Sequence, residues 1–175
     1  MKANNIPWRD RIFEDFSVGD TCKHRNARTL TTYDNILFTS LTQNPAPLHL
    51  NHDYARAAGH ERVPFNSTFT LALVTGQSVA DLTPNVMTNL GWSDIRLPAS
   101  AYEGDTIYSQ STVKSLRESR SNERVGIMDI DTVGYTQTGL IVIAFTRTVM
   151  IYKAGFAPSV PRPEPTPCSG IQRTA

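Results

Sequence analysis

The second half of the chain carries long runs of β-branched and aromatic residues, which favour strands. The clearest run is residues 140–152, LIVIAFTRTVMIY, whose nearly continuous apolar character is typical of a strand covered on both faces. A fifth, weaker strand is predicted over residues 21–29. The remaining predicted strands are bounded by turn signals rich in Gly, Asn and Ser; they cover residues 86–97, 105–116 and 124–135. The pattern therefore predicts an antiparallel series in this half of the chain.

The first half of the chain favours helices instead. A cap-like pattern at Thr31 to Asp34 precedes a helix over residues 35–41, and residues 51–58 form a short helix. Residues 67–80, STFTLALVTGQSVA, carry no charge, and such a segment predicts a long helix buried on all sides. One buried helix followed by four antiparallel strands is the order of a hot-dog fold. We therefore expect an α+β hot-dog domain, with an antiparallel sheet of about five strands wrapped round one long central helix.

Composition narrows the class of protein. With 175 residues, 39% apolar and 19% charged, and a net charge of +1, the chain predicts one folded domain and no nucleic-acid partner. The domain is predicted over residues 1–153, and the prolines that crowd residues 154–175 predict a disordered tail. The chain has no long apolar stretch, so no membrane partner is expected, and its two cysteines fit a reducing cytoplasm.

The stretch from Asn44 to His49, NPAPLH, with Ala55 six positions beyond the histidine, is the motif that indicates chemistry. Pro47, Leu48, His49 and Ala55 resemble the signature of the MaoC-like (R)-specific enoyl-CoA hydratase/dehydratase family, which has an Asp where this chain has Asn44. The resemblance covers residues 15–153. Within the family, the segments VPFNSTFTLAL and NLGW are most similar to the mesaconyl-CoA / β-methylmalyl-CoA dehydratase branch.

The resemblance implies a hydro-lyase that adds water to an α,β-unsaturated acyl-CoA thioester, or removes it from a 3-hydroxy one. A branched C5 dicarboxyl group is one candidate acyl chain. His49 is the expected general acid/base, because histidine exchanges protons near neutral pH. Asn44 either holds the substrate water or is only an Asx-turn residue. Ser67 is either an oxyanion contributor or a helix N-cap.

The other expected site residues lie at or just before the start of the predicted central helix, or on and just after the strands that follow it. The expected oxyanion and substrate-binding residues are Asn66, Ser67, Thr68, Phe65 and Trp92, and the candidate contacts to coenzyme A phosphates are Arg96, Lys114 and Arg117. No metal site is predicted, and no cofactor besides the coenzyme A of the substrate. A homodimer or a dimer of dimers is expected, because hot-dog sheets pair edge to edge.

Two alternative functions stay open at this point. A hot-dog thioesterase would use a carboxylate on or beside the central helix, and residues 67–80 contain none. A non-catalytic acyl-thioester-binding protein would keep the ligand tunnel and lose the chemistry where Asn44 replaces Asp.

Overall fold

The computed structural model describes residue 7 and residues 10–166. The described chain contains three α-helices, which are α1 (Thr32–Leu41), α2 (His52–Ala57) and α3 (Ser67–Leu82), and 3₁₀ turns that include Phe13–Asp15 and Pro47–His49. Its strands are β1 (Thr21–Lys23), β2 (Arg28–Thr29), β3 (Val86–Arg96), β4 (Thr106–Glu118), β5 (Val125–Tyr135) and β6 (Ile141–Tyr152). No helix of the described residues is long and apolar enough to cross a membrane.

The strands form one antiparallel sheet in the order β1-β4-β5-β6-β3, and β2 also pairs with β4. The helix α3 packs across one face of this sheet against β4, β5 and β6. This arrangement is the hot-dog fold predicted from the sequence. The bounds of β3 to β6 agree with the predicted bounds to within two residues, because long β-branched runs and clear turns mark both ends of each strand.

The predicted strand over residues 21–29 is wrong as a single element, since β1 and β2 are separate. The backbone N–H of Arg25 donates to Asp81 Oδ2 at 2.9 Å, on α3, rather than to a carbonyl of β4. A side chain from the helix therefore interrupts the ladder between the two short strands.

The central helix differs from expectation in its burial. The sequence predicts a helix covered on all sides, but α3 buries one face, which contains Thr70, Val74, Gln77, Ser78, Asp81 and Leu82. On the opposite side Val79 is 41% exposed. The helix α1 packs against α3, and a single chain leaves part of the uncharged segment 67–80 uncovered.

The helix α1 is held at its start by a capping box. Thr31 N–H donates to Asp34 Oδ2 at 3.0 Å, and the Thr31 side chain accepts from the Asp34 N–H, as the cap-like sequence pattern predicts. The next residue, Asn35, is 3% exposed and points into the protein. The cap therefore fixes the position of a buried amide that contacts the loop of the candidate site.

Candidate active site

His49 ends the 3₁₀ turn Pro47–His49, which a proline begins. Its ring Nδ1 lies 2.9 Å from the carbonyl oxygen of Pro64. Because a carbonyl oxygen can only accept a hydrogen bond, Nδ1 carries the hydrogen and the neutral ring keeps the lone pair of Nε2 available. The loop therefore presents His49 as a base at one defined nitrogen.

Asn35 ties the His49 loop to the start of α3. Its Nδ2 donates to the carbonyl of His49 at 3.1 Å and to that of Pro64 at 3.4 Å, while its Oδ1 accepts the N–H of Asn66 at 2.9 Å. Asn35 is not recognisable from the sequence, because nothing in a helical TYDN pattern distinguishes a buried bridging amide from a surface one. Its role depends on contacts with residues that are 14 to 31 positions away.

The start of α3 leaves one backbone donor available. Asn66 is the N-cap, so the interpretation of Ser67 as N-cap is wrong. Asn66 Oδ1 accepts the N–H of Thr68 at 3.0 Å and its hydroxyl at 2.7 Å. Among the residues that the structure describes, no hydrogen bond includes the N–H of Ser67. This N–H stands at the positive end of a 16-residue helix dipole, where negative charge is stabilised.

Two cavities meet at His49 and Phe65. The first, of about 460 Å³, lies beside Ser67 and is largely apolar. It is lined by His49, Phe65, Ser67, Thr70, Leu97 and Val142, among others. The second, of about 230 Å³, contains charged residues instead, and these are Arg56, Glu61, Arg62 and Glu103. The buried residue Phe65 forms part of both walls. His49 is thus in contact with an apolar space on one side and a charged space on the other.

The first cavity also contains a histidine to which the sequence analysis gave no role. His60 Nδ1 lies 3.3 Å from the hydroxyl of Tyr102, and an isolated β-bridge joins Tyr102 to Pro64. His60 has no framing motif in the sequence, and only the fold brings it near His49.

Asn44 has a structural role in the loop. Its Oδ1 accepts the N–H of Ala46 at 3.0 Å, which is an Asx turn before Pro45. Asn44 does not line either of the cavities that contain His49. The geometry therefore favours the turn interpretation, and a role in holding substrate water stays a prediction.

Of the two predicted site residues on β3, one lies near the first cavity and the other does not. Arg96 ends β3 beside Leu97, which lines the first cavity. Trp92 lies further back on β3, opposite Arg147 on β6, and is 42% exposed. It does not line either cavity that contains His49.

Lys114 and Arg117 are not brought to His49 within one chain. Both lie in the second half of β4, whereas the cavities lie beside the residues that precede β4 and begin β6. Lys114 Nζ donates to Asp131 Oδ1 at 3.2 Å and to Thr146 Oγ1 at 3.3 Å. Their contact with coenzyme A phosphates stays a prediction.

A second cluster of titratable groups lies in the core at the other end of α3. Ligand atoms of Cys22, His24 and Asp81 lie within 4.8 Å of one another, and Arg25 Nε donates to Asp81 Oδ1 at 2.5 Å. Burial lowers the pKa of His24 to about 4 and raises the pKa of the Cys22 thiol to about 11. His24 is therefore neutral at pH 7, and Ser111 hydrogen bonds its Nε2 at 2.8 Å.

Comparisons with known proteins identify the family and the fold. The beta-methylmalyl-CoA dehydratase of Chloroflexus aurantiacus is 35% identical to this chain over 164 residues, which are 94% of this chain and 45% of that protein. The crystal structure of a MaoC domain protein dehydratase from the same organism superposes with a TM-score of 0.79 at 33% identity, over 88% of this chain and 44% of the other.

A Mycobacterium tuberculosis protein with a double hot-dog fold superposes with a TM-score of 0.77 at 23% identity, over 88% of this chain and 48% of that one. The chain thus spans about half the length of the relatives that it matches. The sequence profile described as mesaconyl-CoA hydratase matches residues 4–166, which is most of the chain. On this match, the chain belongs to the mesaconyl-CoA hydratase family.

Proposed function

We propose that this protein is a hydro-lyase that adds water to an α,β-unsaturated acyl-CoA thioester or removes water from the 3-hydroxy form. One observation carries the proposal. The first cavity is lined both by His49, whose Nε2 is free to act as a base, and by Ser67, whose backbone N–H has no partner among the described residues. A base and an oxyanion donor that share one apolar cavity are what this reaction requires.

The reaction divides between these two groups. In hydration, His49 Nε2 takes a proton from water as the water oxygen bonds to Cβ, and the electrons of the double bond shift toward the thioester oxygen. The Ser67 N–H and the α3 dipole stabilise the enolate charge that develops there. The enolate then takes a proton at Cα, which His49 can return. Dehydration is the reverse sequence, and neither direction requires a cofactor besides the coenzyme A of the substrate.

The family to which the chain belongs suggests the acyl group. We infer a branched C5 dicarboxyl thioester, of the mesaconyl-CoA kind, from the profile match and from the relative named as a β-methylmalyl-CoA dehydratase. The charged cavity on the other side of His49 is compatible with a substrate that carries a second anionic group. A cytoplasmic location, predicted from the sequence, stays part of the proposal.

The proposal includes a second hot-dog domain, supplied by a second copy of the chain as a dimer or a dimer of dimers. The edge strand β3 pairs only with β6 in the described chain and exposes large apolar side chains, which are Met87, Leu90, Trp92 and Ile95. An open edge of this kind pairs readily with another strand. Relatives about twice as long as this chain have room for two such domains in one polypeptide.

The test is an assay of the full chain with mesaconyl-CoA that follows the ultraviolet absorbance of the conjugated enone and free thiol together. A hydratase removes the enone without releasing thiol, and His49→Ala should lower kcat/KM by at least about 100-fold, the scale of losing a general base. Because His49 is only half-buried, its variant should keep its melting temperature. Release of free thiol would indicate a thioesterase instead. Binding without any turnover would indicate a non-catalytic acyl-thioester-binding protein.

A further inference from the structure

Arg62 is a cationic group in the charged cavity that His49 shares. Its Nη1 donates to the carbonyl of Glu103 at 3.0 Å, and its guanidinium carbon lies 4.6 Å from the centre of the Tyr102 ring. These two contacts favour one orientation of the exposed guanidinium, because a cation over an aromatic face is attracted by the ring. The side chain is therefore oriented before any ligand binds.

Most donors of this guanidinium are unused. Arginine carries five N–H donors, and the hydrogen bond to the carbonyl of Glu103 uses one of them. In the part of the chain that the structure describes, no ion pair includes Arg62. A fixed guanidinium with free donors is well suited to a bidentate contact with a carboxylate or a phosphate.

The cavity contains other charged groups, and these limit the number of anions that it can accept. Arg56, Glu61 and the side chain of Glu103 also line it, so its two basic residues face two acidic ones. No ion pair of the described residues joins these four side chains. The balance of charge favours one anionic group beside the oriented arginine over a large polyanion such as the phosphates of coenzyme A.

Proximity to His49 separates the two possible sources of such an anion. The free carboxylate of a mesaconyl group is attached directly to a carbon of the reacting double bond. The phosphates of coenzyme A lie at the far end of the long pantetheine arm. A cation in the small cavity that borders His49 is therefore placed for the carboxylate of the acyl group.

We propose that Arg62 binds the free carboxylate of a dicarboxyl acyl thioester and so selects such substrates over monocarboxyl ones of the same length. This inference rests on the proposed function for its substrate. It assigns the selection to a residue outside the histidine motif, on the loop that joins α2 to α3.

The test compares two saturated ligands that cannot be hydrated, succinyl-CoA and butyryl-CoA, which differ by one carboxylate. Their dissociation constants are measured by calorimetry with wild type, Arg62→Met and Arg62→Lys. Arg124→Met is the matched control, since Arg124 is an exposed arginine at the opposite end of the sheet. All variants are first checked for an unchanged melting temperature.

We expect Arg62→Met to weaken the binding of succinyl-CoA by about 10- to 100-fold, the scale of a lost charge-assisted contact, and the binding of butyryl-CoA by less than about 3-fold. Arg62→Lys should recover part of the loss, and Arg124→Met should change neither ligand. Equal weakening of both ligands would assign Arg62 to the phosphates and overturn the inference. No weakening of either ligand would also overturn it.

Turnover separates this inference from the proposed function. The same variants are assayed with mesaconyl-CoA and with 2-methylcrotonyl-CoA, in which a methyl group replaces the free carboxylate. Selective loss with mesaconyl-CoA in Arg62→Met supports the inference. If wild type hydrates neither thioester while succinyl-CoA still depends on Arg62, the hydro-lyase proposal fails and the carboxylate site stands.

Discussion

Replacing Asn35 with Ala should lower both the free energy of unfolding and kcat. The substitution removes three hydrogen bonds and leaves the carbonyls of His49 and Pro64 and the N–H of Asn66 without this partner. At about 1 kcal/mol for each bond, the free energy of unfolding should fall by about 3 kcal/mol. The loop that carries His49 would also lose its tie to α3. A shift of about 1 Å between reacting groups costs about 100-fold in rate, so kcat should fall by roughly 10- to 100-fold.

The assay is kcat and KM with mesaconyl-CoA, together with urea unfolding of each variant. Ser111→Ala is the control, because Ser111 is equally buried and its hydroxyl bonds His24 and Thr132 at 2.8 Å, far from His49. It should lower stability by a comparable amount and leave kcat unchanged. Asn35→Asp keeps the acceptor for Asn66 but turns a carboxyl oxygen toward the carbonyls of His49 and Pro64 in a buried site, so it should lose at least as much stability as Asn35→Ala. If Asn35→Ala and Ser111→Ala lower kcat equally, Asn35 has no positioning role and the reasoning is wrong.

Three further predictions follow from single features. Since Asn44 does not titrate, the pH–rate profile should rise on one sigmoid, and Asn44→Asp should keep both the Asx turn and the single sigmoid because residue 44 lines neither cavity that contains His49. A bell-shaped wild-type profile would contradict this. Burial lowers the pKa of His24 from 6.5 to about 4, so the folded state binds fewer protons than the unfolded chain between these values. Its contribution to stability is present above pH 6.5 and is lost as the pH falls toward 4; at pH 5 the loss should be about 2 kcal/mol by urea unfolding, and His24→Gln should remove this dependence. On the exposed edge, Leu90→Arg should convert a dimer to a monomer in light scattering, and an unchanged mass would show that β3 is not the interface.

The elements that the sequence predicts well are those whose signals are local. The strand β6 is a run of β-branched residues with a turn before it, and the capping box at Thr31 lies within four residues. Predictions that depend on a distant partner were less accurate. The break between β1 and β2 arises from Asp81, which lies more than fifty residues away.

The candidate site shows the same division. The motif around His49 identifies the central residue, since its spacing is local. The free donor at Ser67, the bridge through Asn35 and the oriented Arg62 are set by contacts between separate loops and helices. The predicted phosphate contacts at Lys114 and Arg117 stay a prediction, and in one chain both residues lie on the half of β4 away from the cavities. A strand of 13 residues places its two ends about 40 Å apart, and sequence alone did not indicate which end of β4 faces the cavity.

The polar inner face of α3 has a consequence for the precision of the site. Gln77 Nε2 donates to the carbonyl of Ile107 at 2.8 Å, and Gln77 Oε1 accepts the hydroxyl of Ser109 at 2.6 Å. A wholly apolar face would allow the helix to slide along the sheet. These two directional hydrogen bonds form at only one position of α3 along its axis, and a shift of one turn, about 5.4 Å, would break both. Since a helix is rigid along its axis, the two hydrogen bonds of Gln77 also fix the position of Ser67 relative to His49. The buried amide of Gln77 thus sets the distance between the oxyanion donor and the base, although it lies ten residues from Ser67.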